Sequence, residues 1–140
     1  MIYLDTNIWI YAITAHPKYG KRCKRILERL EKEKLRAAIS VQVLSEVAGV
    51  LYQQFGVKDT TKHVAAILSY PLEIVDLTPD IIIRGAEYSR DYGVLPYDGI
   101  HIASALGLMI KKILSADREL GRVSLIERVD PIDTRNVKDE

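Results

Sequence analysis

Apolar residues occur along this chain in two patterns, short runs and longer stretches with helical spacing. The short runs predict buried strands, and they lie at residues 2–4, 36–40, 73–76, 113–116 and, as a weaker signal, 128–129. The longer stretches place apolar residues on one face at helical spacing, so they predict amphipathic helices. These helices are expected at residues 19–34, 41–55, 60–70, 79–93 and 97–111, with a short helical turn at 118–120.

Glycine, proline and hydroxyl residues support several of these boundaries. Gly56 and Gly93 each follow a predicted helix, as is usual for residues that end a helix in the left-handed conformation. Thr78 and Pro79 combine a hydroxyl cap with a proline in the first turn, which is typical of a helix start. Pro71 marks the end of the helix before it.

Strands that alternate with helices predict an α/β fold in which helices cover both faces of a parallel sheet. We therefore expect a three-layer α/β/α sandwich with a central parallel sheet of four to five strands. At 140 residues, the chain is most simply one domain. We assign this domain to residues 1–130 and expect the polar tail at residues 131–140 to fray.

The opening segment, MIYLDTNIWIYA, is almost wholly apolar, yet it contains Asp5, the only acidic residue among the first 27. An apolar segment of this kind is expected to be buried, and a buried carboxylate is costly unless it is paired or binds a metal. Asp5 directly follows the first predicted strand, which places it at the edge of the sheet.

Three further acids are expected at the same edge. Helices that connect parallel strands begin at the edge where the strands end, and ligands of such sheets bind there. Glu46 lies early in the helix after the second strand, Asp98 begins the helix before the fourth strand, and Asp117 directly follows that strand. Each acid alone could be a turn former, a helix cap or an exposed helix residue. Their joint placement at one edge favours a functional cluster.

These acids lack obvious cationic partners. No lysine or arginine lies close in sequence to Asp5 or Glu46, and Asp98 precedes GIHIASALGLMI, which predicts a buried helix. Crowded carboxylates repel one another, so either their pKa values rise or a cation binds between them. Ligands that are all oxygen favour a hard divalent ion, Mg²⁺ or Mn²⁺, and a carboxylate-held ion with open positions suits phosphoryl chemistry.

Four segments together resemble the PIN domain, the nuclease fold of VapC-type toxins. They are YLDTN at residues 3–7, SVQVLSEV with Glu46, PYDGIHIASA with Asp98 and ILSADREL with Asp117, and they cover the chain to about residue 130. The resemblance implies a parallel sheet flanked by helices and metal-dependent cleavage of RNA. It assigns the catalytic acids to Asp5, Glu46, Asp98 and Asp117, and small polar residues that support the metal site to Thr6, Asn7 and Ser115.

The implied mechanism is hydrolysis of an RNA phosphodiester by a metal-activated water. Asp5, Asp98 and Asp117 would hold Mg²⁺, with Mn²⁺ as a possible substitute, and Glu46 would complete the site or orient a water. The products would carry 5′-phosphate and 3′-hydroxyl ends. The chain departs from the family at Gly99, where alanine is commoner, at Ser115, where threonine is commoner, and at Leu120, where an aromatic residue is frequent. None of these departures removes a carboxylate.

Charge is unevenly distributed, although the chain as a whole carries only +1. Residues 18–36 contain nine basic residues and three acids, a local charge of +6 that leaves −5 for the rest of the chain. Within this segment, Lys21, Arg22, Lys24 and Arg25 are candidates to bind the RNA backbone. An ordinary solvated helix face with internal ion pairs is an equally good interpretation of the same residues.

The resemblance also implies partners. Short PIN-domain toxins are usually homodimers, and a small antitoxin usually wraps them and blocks the acidic pocket. Cys23 is the only cysteine, so it forms no internal disulfide, and a reducing cytoplasm fits best. No apolar stretch approaches the roughly 20 residues needed to cross a bilayer, so we expect no membrane association.

Other functions stay open at this stage. The chain could be a stand-alone RNA-processing nuclease, a DNA-directed nuclease, or a module that binds RNA or a partner without catalysis. The sequence contains no phosphate loop of the GxxxxGK type and no grouping of cysteine and histidine that suggests zinc. His101 lies one helical turn after Asp98 and could contact the site, but a structural histidine is the favoured interpretation.

Overall fold

The computed structural model describes residues 1–135 and 137–138. Five strands form one parallel sheet, in agreement with the predicted four to five strands, and helices flank the sheet as in a three-layer α/β/α sandwich. The strands are β1 (Ile2–Leu4), β2 (Ala37–Ser40), β3 (Leu72–Val75), β4 (Lys112–Leu114) and β5 (Glu127–Val129). The helices are α1 (Thr6–Ile13), α2 (Gly20–Glu31), α3 (Val41–Phe55), α4 (Thr61–Leu68), α5 (Pro79–Tyr92) and α6 (Pro96–Gly107), with a 3₁₀ turn at Arg118–Arg122.

Strand order explains where a ligand can bind. The order across the sheet is β3-β2-β1-β4-β5, so the chain moves outward from β1 on one side and then crosses to the other side of it. Tyr3 in β1 pairs with Ala38 in β2 and with Ile113 in β4, which places β1 at the centre. The direction of winding reverses between β1 and β4. In open α/β sheets, ligands bind beyond the carboxyl ends of the strands at such a reversal.

Helix α1 was not predicted from the sequence. It begins at Thr6, directly after β1, and Asp5 caps it by accepting a 2.7 Å hydrogen bond from the Thr6 backbone nitrogen. Ile8 and Trp9 are both almost completely buried. A helix that is apolar on most sides shows little amphipathic periodicity, so its pattern cannot be distinguished from that of a buried strand.

The predicted helix ends at Gly56, Thr78 and Gly93 are confirmed. Gly56 and Gly93 follow α3 and α5 with φ of 67° and 70°, in the left-handed region that glycine adopts without steric cost. The Thr78 hydroxyl accepts a hydrogen bond from the backbone nitrogen of Ile81. The last predicted helix, 97–111, was too long, because α6 ends at Gly107. Strand β4 also ends before Ser115, which therefore lies in the loop beyond the sheet.

The C-terminal segment is more ordered than expected. Val137 is only 8% exposed and joins the main core, and its carbonyl accepts a 2.8 Å hydrogen bond from Arg29 of α2. The carbonyl of Ile132 accepts another from Arg22. The expectation that residues 131–140 fray is therefore wrong for these positions, while residues 136, 139 and 140 lie outside the described part. The boundary of the domain at residue 130 stays a prediction.

Within residues 1–135 and 137–138, every helix is too short or too polar to traverse a lipid bilayer.

Candidate active site

Asp5 stands at the carboxyl end of β1 and is only 5% exposed. Its Oδ1 accepts the capping hydrogen bond from Thr6, and its Oδ2 accepts a 2.6 Å hydrogen bond from the Ser115 hydroxyl. The Asn7 side-chain amide lies 3.4 Å from the same Oδ2. These donors orient the buried carboxylate and compensate part of its desolvation.

Ser115 and Asn7 connect the loop after β4 to the start of α1. The Ser115 hydroxyl accepts hydrogen bonds from the Asn7 amide at 3.1 Å and from the Asp117 backbone nitrogen at 3.0 Å, and it donates to Asp5. The Asn7 side-chain oxygen accepts from the backbone nitrogen of Ala116 at 3.2 Å. Arg128 of β5 contributes a further support by donating to the Ser115 carbonyl at 2.9 Å. Two segments more than 100 residues apart are thereby fixed against each other.

Asp117 caps the 3₁₀ turn that follows β4. Its Oδ1 accepts a 2.9 Å hydrogen bond from the backbone nitrogen of Glu119, so one carboxylate oxygen is engaged locally. The other oxygen accepts no hydrogen bond within residues 1–135 and 137–138. The interpretation of Asp117 as a helix cap and its assignment to the site are therefore compatible.

Asp98 lies in the first turn of α6, and no group of the described residues donates a hydrogen bond to it. Burial raises its pKa, and the negative charges of Asp5 and Asp117 raise it further, to about 6. His101 acts in the opposite direction, and Glu46 adds a smaller repulsion. The acids predicted to meet at this edge of the sheet therefore influence one another electrostatically.

Glu46 has a partner that was not predicted for it. Its Oε1 lies 2.6 Å from Nε2 of His101, which is 1% exposed. The other ring nitrogen, Nδ1, lies 2.7 Å from the hydroxyl of Tyr3, and that hydroxyl donates to the Ser40 side chain and accepts from the Ser40 backbone nitrogen. Because an ionised carboxylate can only accept, Nε2 donates to Glu46.

These neighbours raise the pKa of His101. Burial alone would lower it, but the Tyr3 oxygen, the hydrogen bond to Glu46 and the charge of Asp5 together raise the pKa well above its ordinary value. His101 is therefore at once a packed, hydrogen-bonded residue and a contact of the site.

Thr6 contributes mainly through its backbone. Its nitrogen donates to Asp5, whereas its hydroxyl lies 3.5 Å from Nε2 of His101, at the limit of hydrogen-bond distance. Thr6 is only 7% exposed. Thr6 therefore contributes a small, mostly buried part of the cleft wall.

An open cleft of about 290 Å³ joins the four acids. Asp5, Glu46, Asp98 and Asp117 line it together with Thr6, Asn7, Ile10, Tyr11, Val50, Gln54 and Phe55. Larger hollows exist elsewhere, such as the groove of about 720 Å³ between α5 and α6, but its two carboxylates, Asp80 and Glu87, lie beside a cation, Arg84. The cleft with the four acids is therefore the candidate active site.

The donor set suits a hard cation that keeps part of its water shell. In the described part of the chain, no three side chains of histidine, cysteine, aspartate or glutamate stand close enough to enclose a metal ion by themselves. Mg²⁺ usually binds through one or two carboxylates and retains several waters, so it does not need a closed cage. Asp98 and Asp117 each offer an oxygen without a hydrogen bond from the described residues, which fits such an ion.

The basic residues of α2 do not line this cleft. Lys21, Arg22, Lys24 and Arg25 are all exposed, and α2 packs against α1, which carries Tyr11 of the cleft wall. The stacked rings of Tyr11 and Tyr19, 5.2 Å apart, connect the cleft wall to the start of α2. The assignment of these four basic residues to RNA binding stays a prediction.

The comparisons with known proteins agree with the fold. The family model of the PIN domain matches residues 2–125, and the chain belongs to the PIN-domain family. Nucleases of this family generally depend on a divalent metal ion.

Individual relatives are similar over nearly the whole chain. Ribonuclease VapC2 of Methanocaldococcus jannaschii is 28% identical over 143 residues, which cover 92% of this chain and 93% of that protein. The crystal structure of VapBC2 from Rickettsia felis, bound to a promoter DNA fragment, has a TM-score of 0.70 at 24% identity and covers 93% of this chain and 98% of its own. DNA-bound VapBC from Salmonella typhimurium has a TM-score of 0.62 at 25% identity, with coverage of 93% and 97%.

Proposed function

We propose that this protein is a divalent-metal-dependent endoribonuclease and that it acts as the toxin of a VapBC-type toxin–antitoxin pair. The observation that carries the proposal is the cleft in which Asp5, Glu46, Asp98 and Asp117 meet, although they come from four separate segments of the chain. The elevated pKa of Asp98 supports the same conclusion, because it reflects burial and the charges of Asp5 and Asp117.

We assign Mg²⁺ to this cleft, with Mn²⁺ as a possible substitute, and Asp5, Asp98 and Asp117 as the residues that would hold it. All candidate ligands are oxygen atoms, which favours these ions over softer metals. The ion would supply a water activated for attack and would neutralise charge on the scissile phosphate. Asn7 and Ser115 hold the Asp5 carboxylate in position for this role through the hydrogen bonds at its Oδ2.

Glu46 is the fourth acid of the site and the one that is partly tied to a protein group. One of its oxygens accepts from His101, and the other accepts no hydrogen bond from the described residues. That free oxygen can accept a proton or orient a water at the cleft. Glu46 would therefore complete the site beside the three metal ligands or orient a water of the ion, so that its position would affect both metal binding and the reaction.

The antitoxin and the RNA substrate rest on the named relatives. The similar structures from Rickettsia felis and Salmonella typhimurium are VapBC complexes, and the relative from Methanocaldococcus jannaschii is named a ribonuclease. We propose that a small antitoxin covers the same cleft here, and that the protein works in the cytoplasm, where its RNA substrates are. Free and buried Cys23 is compatible with a reducing compartment.

We also propose that the protein is a homodimer. Several large apolar side chains are exposed on α5 and around the start of α6, including Ile83 at 58%, Leu95 at 65% and Tyr97 at 59%. Apolar surface of this kind is typical of protein–protein contacts. Light scattering coupled to gel filtration measures the mass directly, and a monomeric mass over the whole accessible concentration range would contradict this part of the proposal.

The central experiment compares substrates and metals. Purified protein is incubated with labelled tRNA, mRNA and single-stranded DNA in the presence of Mg²⁺, Mn²⁺ or EDTA. We expect RNA fragments with 5′-phosphate and 3′-hydroxyl ends that form with either metal and not with EDTA. Asp98→Asn is the matched control, because it keeps the size of the side chain but removes the ionisable oxygen, and we expect no cleavage from it.

Each other result supports a different function. RNA binding without cleavage by the wild-type protein would indicate a non-catalytic module, and selective cleavage of DNA would indicate a DNA-directed nuclease. Cleavage of RNA without a gene for a small DNA-binding protein next to this one would favour a stand-alone RNA-processing nuclease. Full activity of Asp98→Asn would refute the assigned site.

A further inference from the structure

His101 is almost completely buried, with 1% of its surface exposed. Both of its ring nitrogens contact protein groups at the site. Nε2 donates to Glu46 across a distance of 2.6 Å, and Nδ1 contacts the Tyr3 hydroxyl at 2.7 Å. Asp5 is farther away, with 3.6 Å between its Oδ1 and Nε2. A separation of 2.6 Å is a strong hydrogen bond, whereas 3.6 Å is beyond hydrogen-bond range, so His101 acts on Glu46 in preference to Asp5.

The other side of the imidazole is anchored to the centre of the sheet. Tyr3 in β1 and Ser40 at the end of β2 are both completely buried. The Tyr3 hydroxyl is fixed by the side chain and the backbone nitrogen of Ser40, at 2.9 and 3.1 Å. A chain of hydrogen bonds therefore runs from the β-sheet through Tyr3 and His101 to the cleft.

Glu46 needs such an anchor more than the other acids do. Its side chain is 29% exposed and extends from α3, and within the described residues His101 is its only hydrogen-bond partner. A glutamate side chain with solvent access otherwise samples several rotamers, and fixing it costs conformational entropy. Asp5 and Asp117, by contrast, each accept a hydrogen bond from a neighbouring backbone nitrogen, and Asp5 accepts a second one from the Ser115 hydroxyl.

We propose that His101 is a positioning residue that fixes the Glu46 carboxylate at the cleft through the Nε2 hydrogen bond. This inference rests on the proposed nuclease function, and it gives His101 a role there through Glu46 and not through contact with the substrate. One Glu46 oxygen is bound by His101, so the other is presented to the cleft in one orientation. Partners that orient the residues of a metal site in this way are typically worth about 10- to 100-fold in activity or metal affinity.

Two substitutions of His101 distinguish the role of its Nε2 contact from that of its Nδ1 contact. In His101→Gln, the side-chain amide can occupy the place of Nε2 and still donate to Glu46. In His101→Asn, the amide corresponds to Nδ1, so it reaches Tyr3 but not Glu46. We expect His101→Asn to lower the single-turnover rate of RNA cleavage by about 10- to 100-fold. We expect His101→Gln to stay within about threefold of the wild-type rate, because the donor to Glu46 is kept.

A double-mutant cycle with Glu46→Ala distinguishes positioning from general support of the fold. If His101 acts through Glu46, His101→Asn has no further effect, beyond about twofold, once Glu46 is removed. A merely structural histidine would lower the rate by the same factor in both backgrounds. Equal factors would therefore overturn the proposal, as would equal impairment of His101→Gln and His101→Asn.

The same double-mutant cycle can be measured without RNA, through the affinity of each variant for Mn²⁺. The dissociation constant of Mn²⁺, measured by electron paramagnetic resonance, is expected to increase in His101→Asn and to be the same in Glu46→Ala and in the double variant. If the wild-type protein cleaves no RNA, the proposed function fails, whereas this titration still decides the role of His101. An unchanged Mn²⁺ dissociation constant in His101→Asn contradicts the proposal.

Tyr3→Phe is a second variant that tests the same interaction if His101→Asn fails to fold. It keeps the ring in the core but removes the hydroxyl that holds Nδ1, and circular dichroism during heating shows whether it folds. We expect a smaller loss of cleavage rate than in His101→Asn, and no loss in the Glu46→Ala background. A loss of the same size in both backgrounds would show that Tyr3 serves only the fold and would overturn the anchoring step.

Discussion

The Ser115 hydroxyl donates a 2.6 Å hydrogen bond to Oδ2 of Asp5, across a separation of 110 residues. The same hydroxyl accepts from the Asn7 amide and from the backbone nitrogen of Asp117. One buried oxygen atom thus connects the ends of β1 and β4, the two neighbouring strands between which the winding of the sheet reverses. Two of the proposed metal ligands owe their relative placement to it.

Removing this hydroxyl should impair both stability and metal binding. Ser115→Ala leaves the Asn7 amide and the Asp117 nitrogen with one acceptor fewer and Asp5 without its shortest side-chain donor. We expect a loss of about 1–3 kcal/mol in the free energy of unfolding, the usual cost of unsatisfied buried polar groups. Urea unfolding and Mg²⁺ titration of the same samples measure the two effects. Ser115→Thr is the matched control, since it keeps the hydroxyl, and it should bind Mg²⁺ as the wild-type protein does.

Asp98 should make the metal-free protein less stable at neutral pH. Its pKa is about 6 in the folded protein against an ordinary value of 3.8, so the folded state binds more protons than the unfolded state between these values. The free energy of unfolding therefore falls as the pH rises from 3.8 to about 6, and the loss persists above that range.

Asp98→Asn cannot ionise, so it should escape this loss. Without metal, we expect the variant to be more stable than the wild-type protein by about 1–3 kcal/mol at neutral pH, and to lose the advantage in acid. Asp76→Asn, an exposed position away from the cleft, should follow the wild-type curve. Thermal unfolding over a pH series measures all three proteins. Equal stability of Asp98→Asn and wild type at neutral pH would contradict the repulsion inferred from the site.

In the presence of a divalent metal ion, we expect the wild-type protein to be more stable than Asp98→Asn. A cation that binds the ionised Asp98 stabilises the folded wild-type protein by mass action, whereas Asp98→Asn lacks a ligand oxygen with a charge. We expect Mg²⁺ to raise the melting temperature of the wild-type protein and to leave that of Asp98→Asn nearly unchanged. Because protonation of Asp98 competes with the ion, the effect of Mg²⁺ should weaken as the pH falls through about 6.

Helices α5 and α6 touch through glycine, which makes Gly99 sensitive to substitution. A Cβ atom on Gly99 would collide with the backbone carbonyl of Gly85, and one on Gly85 would lie 2.8 Å from the backbone nitrogen of Ile100. Alanine is commoner in the family at position 99, but in this chain the close approach requires glycine. We expect Gly99→Ala to destabilise the protein by about 1–3 kcal/mol, in the range of overpacked cores.

Gly49 offers the control for this substitution. It lies within α3, and a Cβ atom there would meet nothing within 4 Å. Gly49→Ala should therefore stabilise the protein by about 0.5–1 kcal/mol through helix propensity alone. Denaturant unfolding of both variants measures the difference. A Gly99→Ala protein as stable as the wild type would show that α5 and α6 can separate without cost.

The exposed basic residues of α2 should contribute to RNA affinity in a salt-dependent way. Neutral variants of the pair Lys21 and Arg22, and of the pair Lys24 and Arg25, test this. If each basic residue neutralises one phosphate, each lost contact should reduce the slope of log affinity against log salt by about 0.7 for a single strand. Fluorescence anisotropy with labelled RNA, measured with the inactive Asp98→Asn protein, yields the slope.

A control pair shows whether position matters or only net charge. Arg84 and Arg90 are exposed on α5, and neither lines the acidic cleft. Neutralising both removes the same charge as either pair on α2. If the α5 pair and the α2 pairs change the slope equally, the basic face of α2 is a solvated helix surface without a specific role. A larger change for the α2 pairs supports their assignment to RNA binding.

Much of the fold could be predicted because its signals are local. Short apolar runs and helical patterns identified all five strands and five of the six helices, and Thr78 and Gly93 marked the ends of α5. Helix α1 was missed because apolar residues such as Ile8 and Trp9 lie on most sides of it. Its sequence therefore shows no alternation of apolar and polar residues at helical spacing. The tail was misjudged because Val137 is buried and its carbonyl accepts a hydrogen bond from Arg29 of α2, 108 residues away in sequence.

The candidate site was predictable only in part. All four acids of the cleft, Glu46 included, could be placed at one edge, because parallel topology fixes where strands end and helices begin. The engagement of Glu46 by His101 was not predictable, since 55 residues separate them and a packed, structural histidine was the favoured interpretation of His101. Its position one turn after Asp98 was the only available signal.

By itself, the sequence determined the order of the strands and of every helix but α1, the helix ends at Gly56, Thr78 and Gly93, and the edge at which the acids lie. These features depend on neighbours within a few residues and on the rules of parallel sheets. Only the tertiary structure decided which side chains meet. The Asp5–Ser115 contact joins the ends of the paired strands β1 and β4, and the Glu46–His101 contact depends on the packing of α3 against α6. Such packing depends on the shapes of many side chains at once, which no local pattern records.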